Sequence, residues 1–65
     1  MTIRKAYELL TKKYPNVKIA YNDISINDEN EEIAVWSAPC EFNGCGVACT
    51  DWFDFDGNHT AHKCK

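Results

Sequence analysis

The sequence predicts an α+β fold, with one N-terminal helix packed on an antiparallel meander of three to four strands and a cysteine-rich loop. Two observations indicate this. Apolar residues first recur with a helical period and later alternate singly with polar residues, which is typical of strands with one buried face. With 65 residues, 45% of them hydrophobic, the chain has room for one small domain, residues 1–65, and for no nucleotide-binding or barrel architecture.

The predicted helix covers residues 3–14. Thr2 offers a hydroxyl that can cap its first turn, and Pro15 forces the preceding residue out of helical geometry. Apolar residues at spacings of three and four line one face of this helix. These residues are Ile3, Ala6, Tyr7, Leu10 and Tyr14.

Three or four strands are predicted, near residues 17–27, 32–37, 48–55 and 59–64, and the first range is either one bent strand or two short strands around Asn22-Asp23. In the first, Val17, Ile19 and Tyr21 and then Ile24 and Ile26 occupy alternate positions. The tripeptide Asp56-Gly57-Asn58 is a strong hairpin signal between the last two strands. This order of elements favours an antiparallel meander with the helix covering one face.

Four cysteines lie in the second half of the chain as Cys40-x4-Cys45-x3-Cys49-x14-Cys64, and two histidines lie in the last interval. Thiolate and imidazole are ligands that zinc prefers. We therefore predict a structural zinc site formed by Cys40, Cys45, Cys49 and Cys64, in which His62 could substitute for one cysteine. The chain contains no C-x2-C pair, so this spacing alone does not define a zinc motif.

Two other states of the cysteines fit the same sequence, namely two disulfides or thiols packed as small hydrophobic side chains. Zinc or disulfides would each supply the staple that a core of this size needs. The first residues lack the apolar stretch of a secretory signal. We therefore expect a cytoplasmic protein, in which disulfides are disfavoured, or else a mature chain whose leader is missing.

Few features of the sequence indicate an enzyme. The only nucleophile and base of the Cys/His kind would combine Cys45 or Cys49 with His59 or His62, in a chain with few residues to build a pocket. The pair Asp54 and Asp56 is interpreted as a solvated strand edge. We therefore predict no catalytic residues, and no cofactor other than the structural zinc.

Charge is distributed unevenly along the chain. Residues 1–18 contain five Lys or Arg and one acid, whereas residues 19–62 contain nine acids and no Lys or Arg. Such a sector repels nucleic acid and anionic membranes and attracts a basic protein surface. The residues predicted to bind a partner are Asp23, Asp28, Glu29, Glu31, Glu41, Asp51, Asp54, Asp56 and the aromatic Trp52.

The favoured function is a small acidic, non-enzymatic binding protein that engages a basic site on a protein partner, for example a nucleic-acid-handling enzyme. Phage-encoded inhibitors that present carboxylates where phosphates would sit provide the analogy, and the site of action would then be the host cytoplasm. Two alternatives stay open: a cysteine-based zinc-binding or redox module, and a secreted peptide held by disulfides.

Overall fold

The computed structural model describes residues 1–37 and 49–64. One helix packs against a four-stranded antiparallel sheet, which confirms the predicted α+β class. The strands lie in the sheet in their order along the chain, β1-β2-β3-β4. The elements are α1 (Ile3–Lys13), a 3-10 turn (Tyr21–Asp23), β1 (Ile24–Asn27), β2 (Glu32–Ser37), β3 (Cys49–Asp54) and β4 (His59–Cys64).

Helix α1 begins and ends where the sequence predicts, within one residue. The Thr2 hydroxyl accepts a hydrogen bond from the backbone N–H of Lys5 at 3.1 Å, which satisfies one of the amides without a partner inside the helix. At the other end, Tyr14 caps the helix and donates its N–H to the carbonyl of Leu10 at 2.8 Å. Pro15 follows, so the helix cannot continue.

The core lies between α1 and one face of the sheet, called here the inner face. Burial alternates along β3, where residues 49, 51 and 53 are buried and the residues between them are half-buried. Alternate side chains of a strand point to opposite faces, so the buried set defines the inner face. The apolar members of this core are Ala6, Leu10, Ile19, Ile24, Ile33, Val35 and Phe53.

The first predicted strand is shorter in the structure than residues 17–27. Only Ile24–Asn27 pairs with β2, and the turn before it is closed by a hydrogen bond from the N–H of Asp23 to the carbonyl of Ala20. Val17 and Ile19 still pack on the core, with Ile19 only 7% exposed. In this segment Val17 and Ile19 therefore contribute to the core without belonging to the sheet, whereas Tyr21, the third residue of the alternation, is exposed.

The other strands lie close to their predicted ranges. Strand β2 covers the predicted residues 32–37, and β4 covers 59–64. Within the described residues β3 ends at Asp54, one residue earlier than predicted, because Phe55 belongs to the turn. Residue 48, the predicted start of this strand, lies outside the described residues.

The hairpin between β3 and β4 docks against the end of α1. Gly57 adopts a φ of 87°, a conformation that glycine takes without the steric penalty of a Cβ atom. The hydroxyl of Tyr14 donates to the carbonyl of Gly57 at 2.8 Å, and Lys13 Nζ donates to Asn58 Oδ1 at 2.7 Å. These contacts hold the hairpin end of β3 and β4 against the C-terminal end of α1.

None of the helices found in residues 1–37 and 49–64 has the length and apolar character required to span a membrane.

Candidate metal centre

The two described cysteines face each other across the last two strands. Cys49 opens β3, Cys64 closes β4, and the two residues are direct cross-strand partners. His62 lies two residues before Cys64 and therefore on the same face of β4, where its partner on β3 is Asp51. The sheet thus brings two sulfur atoms and one imidazole to the same end of its inner face.

The atoms of this group are close together. Cys64 Sγ lies 2.8 Å from Cys49 Sγ and 2.8 Å from His62 Nε2. One ligand atom from each of the three residues lies within 4.8 Å of the other two, so the group could hold a metal ion. No disulfide joins Cys49 to Cys64.

A buried carboxylate lies behind the imidazole. Asp51 is fully buried, with 0% of the residue exposed. Its Oδ1 lies 2.6 Å from His62 Nδ1 and 2.7 Å from His59 Nε2, whereas Oδ2 is buried without a hydrogen-bond partner in the described part of the chain. Burial of a carboxylate is costly unless it is hydrogen-bonded, so the hydrogen bonds with the two imidazoles offset the free-energy cost of burying Asp51.

A β-bulge allows both histidines to reach this carboxylate. His59 and His62 are three residues apart, and regular alternation would place them on opposite faces. The pairing of β3 with β4 shifts between Trp52 and Phe53, so that β4 carries one extra residue there. His59 consequently lies beside Phe53, with ring centroids 5.0 Å apart, and its Nε2 points to Asp51.

The structure brings together part of the predicted zinc set. Cys49, Cys64 and the substitute ligand His62 are in one group. Cys40 and Cys45 lie outside the described residues. A second group of metal-binding residue types, Asp51 with His59 and His62, also has its atoms within 4.8 Å of one another.

The acidic residues predicted to bind a partner are not equivalent in the structure. The prediction that Asp51 contributes to an acidic binding surface is wrong, because Asp51 is fully buried and hydrogen-bonded inside the fold. Asp23, Asp54 and Trp52 are half-buried, and Glu41 lies outside the described residues. The exposed members are Asp28, Glu29, Glu31 and Asp56.

Two of the remaining acidic side chains have contacts within the chain. Asp28 Oδ1 accepts a hydrogen bond from the N-terminal ammonium at 2.8 Å. Asp54 Oδ1 accepts from the backbone N–H groups of Asn58 and Asp56, each at 2.9 Å. The hydrogen bond from the Asn58 backbone is the main cause that lowers the pKa of Asp54, because it favours the ionised carboxylate.

The exposed tryptophan is Trp36 and not Trp52. Trp36 is 59% exposed and lies on the outer face of the sheet, where its Nε1 is 3.4 Å from Ser25 Oγ. Trp52 is half-buried on the same face, directly opposite Ala34. Both rings therefore lie on the side of the sheet opposite to the cysteine and histidine group.

Sequence reasoning missed the roles of Asp51 and His59. The position of Asp51 was accessible, because it lies two residues from Phe53 on the same strand and shares the buried face. The orientation of His59 was not accessible, because it depends on the bulge. Comparisons with protein-family models, with curated proteins and with solved structures found no match.

Proposed function

We propose that this protein is a small domain whose fold is stabilised by one zinc ion. Cys49, His62 and Cys64 would bind the ion, and the fourth ligand would be Cys40 or Cys45. The observation that carries the proposal is the convergence of two Sγ atoms and one imidazole nitrogen within 4.8 Å. Zinc binds such thiolate and imidazole ligands at about 2.3 Å and 2.0–2.1 Å, and its structural sites are tetrahedral.

The donor set favours zinc over harder ions. Magnesium and calcium bind oxygen ligands, whereas two sulfurs and one nitrogen suit zinc and other borderline or soft metals. The imidazole also has a carboxylate behind it, since Asp51 Oδ1 is 2.6 Å from His62 Nδ1. Histidine ligands of metals commonly donate their second N–H to a carboxylate in this manner.

The position of the group supports a structural role for the metal. Strand β4 lies at the edge of the sheet, and its residues are exposed or half-buried. Its apolar contribution to the core is therefore small, whereas two of the proposed ligands, His62 and Cys64, belong to it. An ion shared between β3 and β4 would hold this edge strand in place and contribute to the folding free energy of a small domain.

The first test is the intact mass of the protein, measured under native and denaturing conditions without reductant or chelator. We expect a native mass larger by one zinc ion, and loss of that ion on acidification with four reactive thiols remaining. A denatured mass short by about four hydrogens, with no metal, would mean two disulfides and would overturn the proposal. It would favour the secreted, disulfide-held alternative instead.

The order Cys64, His62, Asp51 is also that of a nucleophile, a base and an orienting carboxylate in cysteine enzymes. A second sulfur, Cys49 Sγ, lies 2.8 Å from the sulfur that would be the nucleophile. A sulfur at this distance blocks part of the approach of a substrate to Cys64 Sγ, so we propose that these thiols bind a metal and that the protein is non-enzymatic. Alkylation supports this if the zinc-loaded protein reacts slowly with iodoacetamide and the chelator-treated protein reacts quickly.

A second candidate function is binding of a protein partner with a basic surface, and the exposure of the β1–β2 turn favours it. Asp28, Glu29 and Glu31 are exposed at this turn, and Trp36 is exposed on the adjoining strand. The partner proposed from the charge pattern is a nucleic-acid-handling enzyme of the same cytoplasm, as for a phage-type inhibitor. We propose no direct binding of nucleic acid or membrane.

The two functions are separable by substitution. If the acidic turn binds the partner, the double variant Glu29→Gln, Glu31→Gln should weaken binding, and binding of the wild type should weaken as salt increases. Glu8→Gln is the matched control, because Glu8 is an exposed acid on α1. Binding that is insensitive to salt and to the double variant would contradict this candidate.

A further inference from the structure

We infer that Asp51 is a positioning residue for the metal, and that it holds His62 in the tautomer that presents Nε2 to the ion. The inference rests on the proposed zinc site. It gives the buried carboxylate of Asp51 the role of orienting a metal ligand. It also assigns the second group of metal-binding residue types, Asp51 with His59 and His62, as the support of the site and not as a second metal site.

The tautomer follows from the acceptor. A carboxylate oxygen accepts hydrogen bonds, so the ring nitrogen 2.6 Å from Asp51 Oδ1 is assigned as the N–H donor. That nitrogen is Nδ1 of His62. In a neutral imidazole the lone pair then lies on Nε2, the nitrogen that is 2.8 Å from Cys64 Sγ. Asp51 therefore makes Nε2 the ligand atom.

The second group has hydrogen-bond geometry. The nitrogen to oxygen separations of 2.6 and 2.7 Å are those of short, charge-assisted hydrogen bonds, and both converge on the same Oδ1. A metal bound there would have to replace both hydrogen bonds. It would also use the nitrogen of His62 that faces away from the two sulfur atoms, so the two groups cannot both use His62 in its present tautomer.

His59 completes the support. Its Nε2 donates to the same oxygen, and its ring packs against Phe53 with a centroid separation of 5.0 Å. Two N–H donors on one buried carboxylate oxygen limit both the position and the rotation of Asp51. The hydrogen bond from His59 therefore restrains Asp51, and Asp51 in turn fixes the orientation of the His62 imidazole.

The test begins with nitrogen-15 NMR of the imidazole rings in the zinc-loaded wild type. We expect His62 to carry a proton on Nδ1 that exchanges slowly with water, and Nε2 to show the shift of a metal-bound nitrogen. His59 should show no metal-bound nitrogen. A metal-bound Nδ1 in His62, or a metal-bound His59, would overturn the inference without any variant being made.

The second part uses Asp51→Asn, which keeps the size of the side chain and removes its charge. We expect it to bind one zinc ion per chain with affinity lower by about 10–100-fold in competition with a chelator. The cobalt-substituted variant should keep its thiolate-to-metal charge-transfer absorption, because both sulfur ligands remain. Asp56→Asn, an exposed acid in the same hairpin, is the control and should match the wild type.

The outcomes distinguish this inference from the proposed function. If the wild type binds no metal, the zinc proposal itself fails. If the wild type binds one ion and Asp51→Asn binds it equally tightly, zinc binding stands and the positioning role is wrong. If Asp51→Asn does not fold, the tautomer of His62 in the wild type still decides the question.

Discussion

Asp51 and Asp54 are both carboxylates of strand β3, and the chain uses them in different ways. The buried Asp51 accepts hydrogen bonds from two imidazole groups, whereas Asp54 accepts them from backbone N–H groups of the hairpin that follows it. The Asn58 side chain also donates to Asp54 Oδ2 at 3.1 Å. The side chain of Asp54 therefore stabilises the turn that follows β3, whereas its spacing to Asp56 had indicated a solvated strand edge.

The pH dependence of Asp54 has a definite sign. Its pKa is lowered from the ordinary value of 3.8, chiefly by the backbone N–H of Asn58, so the folded protein favours the ionised form. The stability gained is fully present above a pH of about 4 and is lost as the pH falls through the folded pKa.

We therefore expect Asp54→Asn to be less stable than the wild type at neutral pH, with a difference that shrinks as the pH falls below about 4. Urea unfolding of the two proteins at a series of pH values measures this difference, in which effects common to both proteins cancel. Asp56→Asn provides the comparison for an exposed carboxylate in the same hairpin. A constant difference at all pH values would contradict the role given to Asp54.

At the scale of elements, the regular parts of the fold were predictable and the pairing irregularities were not. Helix α1 has its cap, its apolar stripe and its terminating proline in the local sequence, so its bounds differed by one residue. Strand β1 was predicted too long, because Val17 and Ile19 alternate with Lys18 and Ala20, and Ile19 is buried without a strand partner. Alternation over residues 17–21 thus did not show whether this segment pairs with another strand.

The metal ligands of the candidate site were predictable from the sequence, and the residues around them were not. The cysteines and His62 are of residue types that suggest a metal, and the structure places Cys49, His62 and Cys64 together. Asp51 was assigned to an acidic surface because its charge was counted without regard to its face of β3. The position of His59 depends on one extra residue in β4, which local propensity does not specify.

The attachment of β4 leads to a prediction for that element. If the metal holds β4 against β3, a chelator should increase hydrogen exchange in β4 and at the Cys49 end of β3 more than elsewhere. The amides of α1 should stay protected longer, because Ala6 and Leu10 are anchored in the core. Exchange measured by mass spectrometry of peptides, with and without chelator, tests this.

Equal exchange with and without chelator would contradict the stapling role. Addition of excess zinc after chelation is the control, since it should restore the original exchange pattern. Reversal shows that the effect comes from removal of the metal and not from the chelator itself.

At the scale of the whole molecule, the hydrophobic core and the metal should both contribute to the free energy of unfolding, so zinc binding should offset a loss of stability in the core. Leu10 is fully buried in the core between α1 and the sheet, with 0% of the residue exposed. Truncation of a buried leucine to alanine costs about 2–5 kcal/mol, comparable with the ~3–5 kcal/mol that a core of this size supplies. Zinc at 100 times its dissociation constant would add about 2.7 kcal/mol.

We therefore expect Leu10→Ala to be largely unfolded in the presence of chelator and to regain secondary structure as zinc is added. Circular dichroism during a zinc titration measures this recovery. Leu10→Met is the matched control, because a substitution that conserves volume usually costs less than about 1.5 kcal/mol. Unfolding of Leu10→Ala that zinc does not reverse would show that the ion does not stabilise the fold.

The extra residue in β4 also affects the spacing of the two histidines to be expected in distant relatives of this chain. Thr60 has no direct partner on β3, while Ala61 pairs with Trp52 and His59 with Phe53. A chain without that residue would have a regular ladder, and its two histidines, then two positions apart, would still point to the same side. The pattern H-x-H and the pattern H-x-x-H thus encode the same arrangement, and a sequence search for this site should accept a gap of either length.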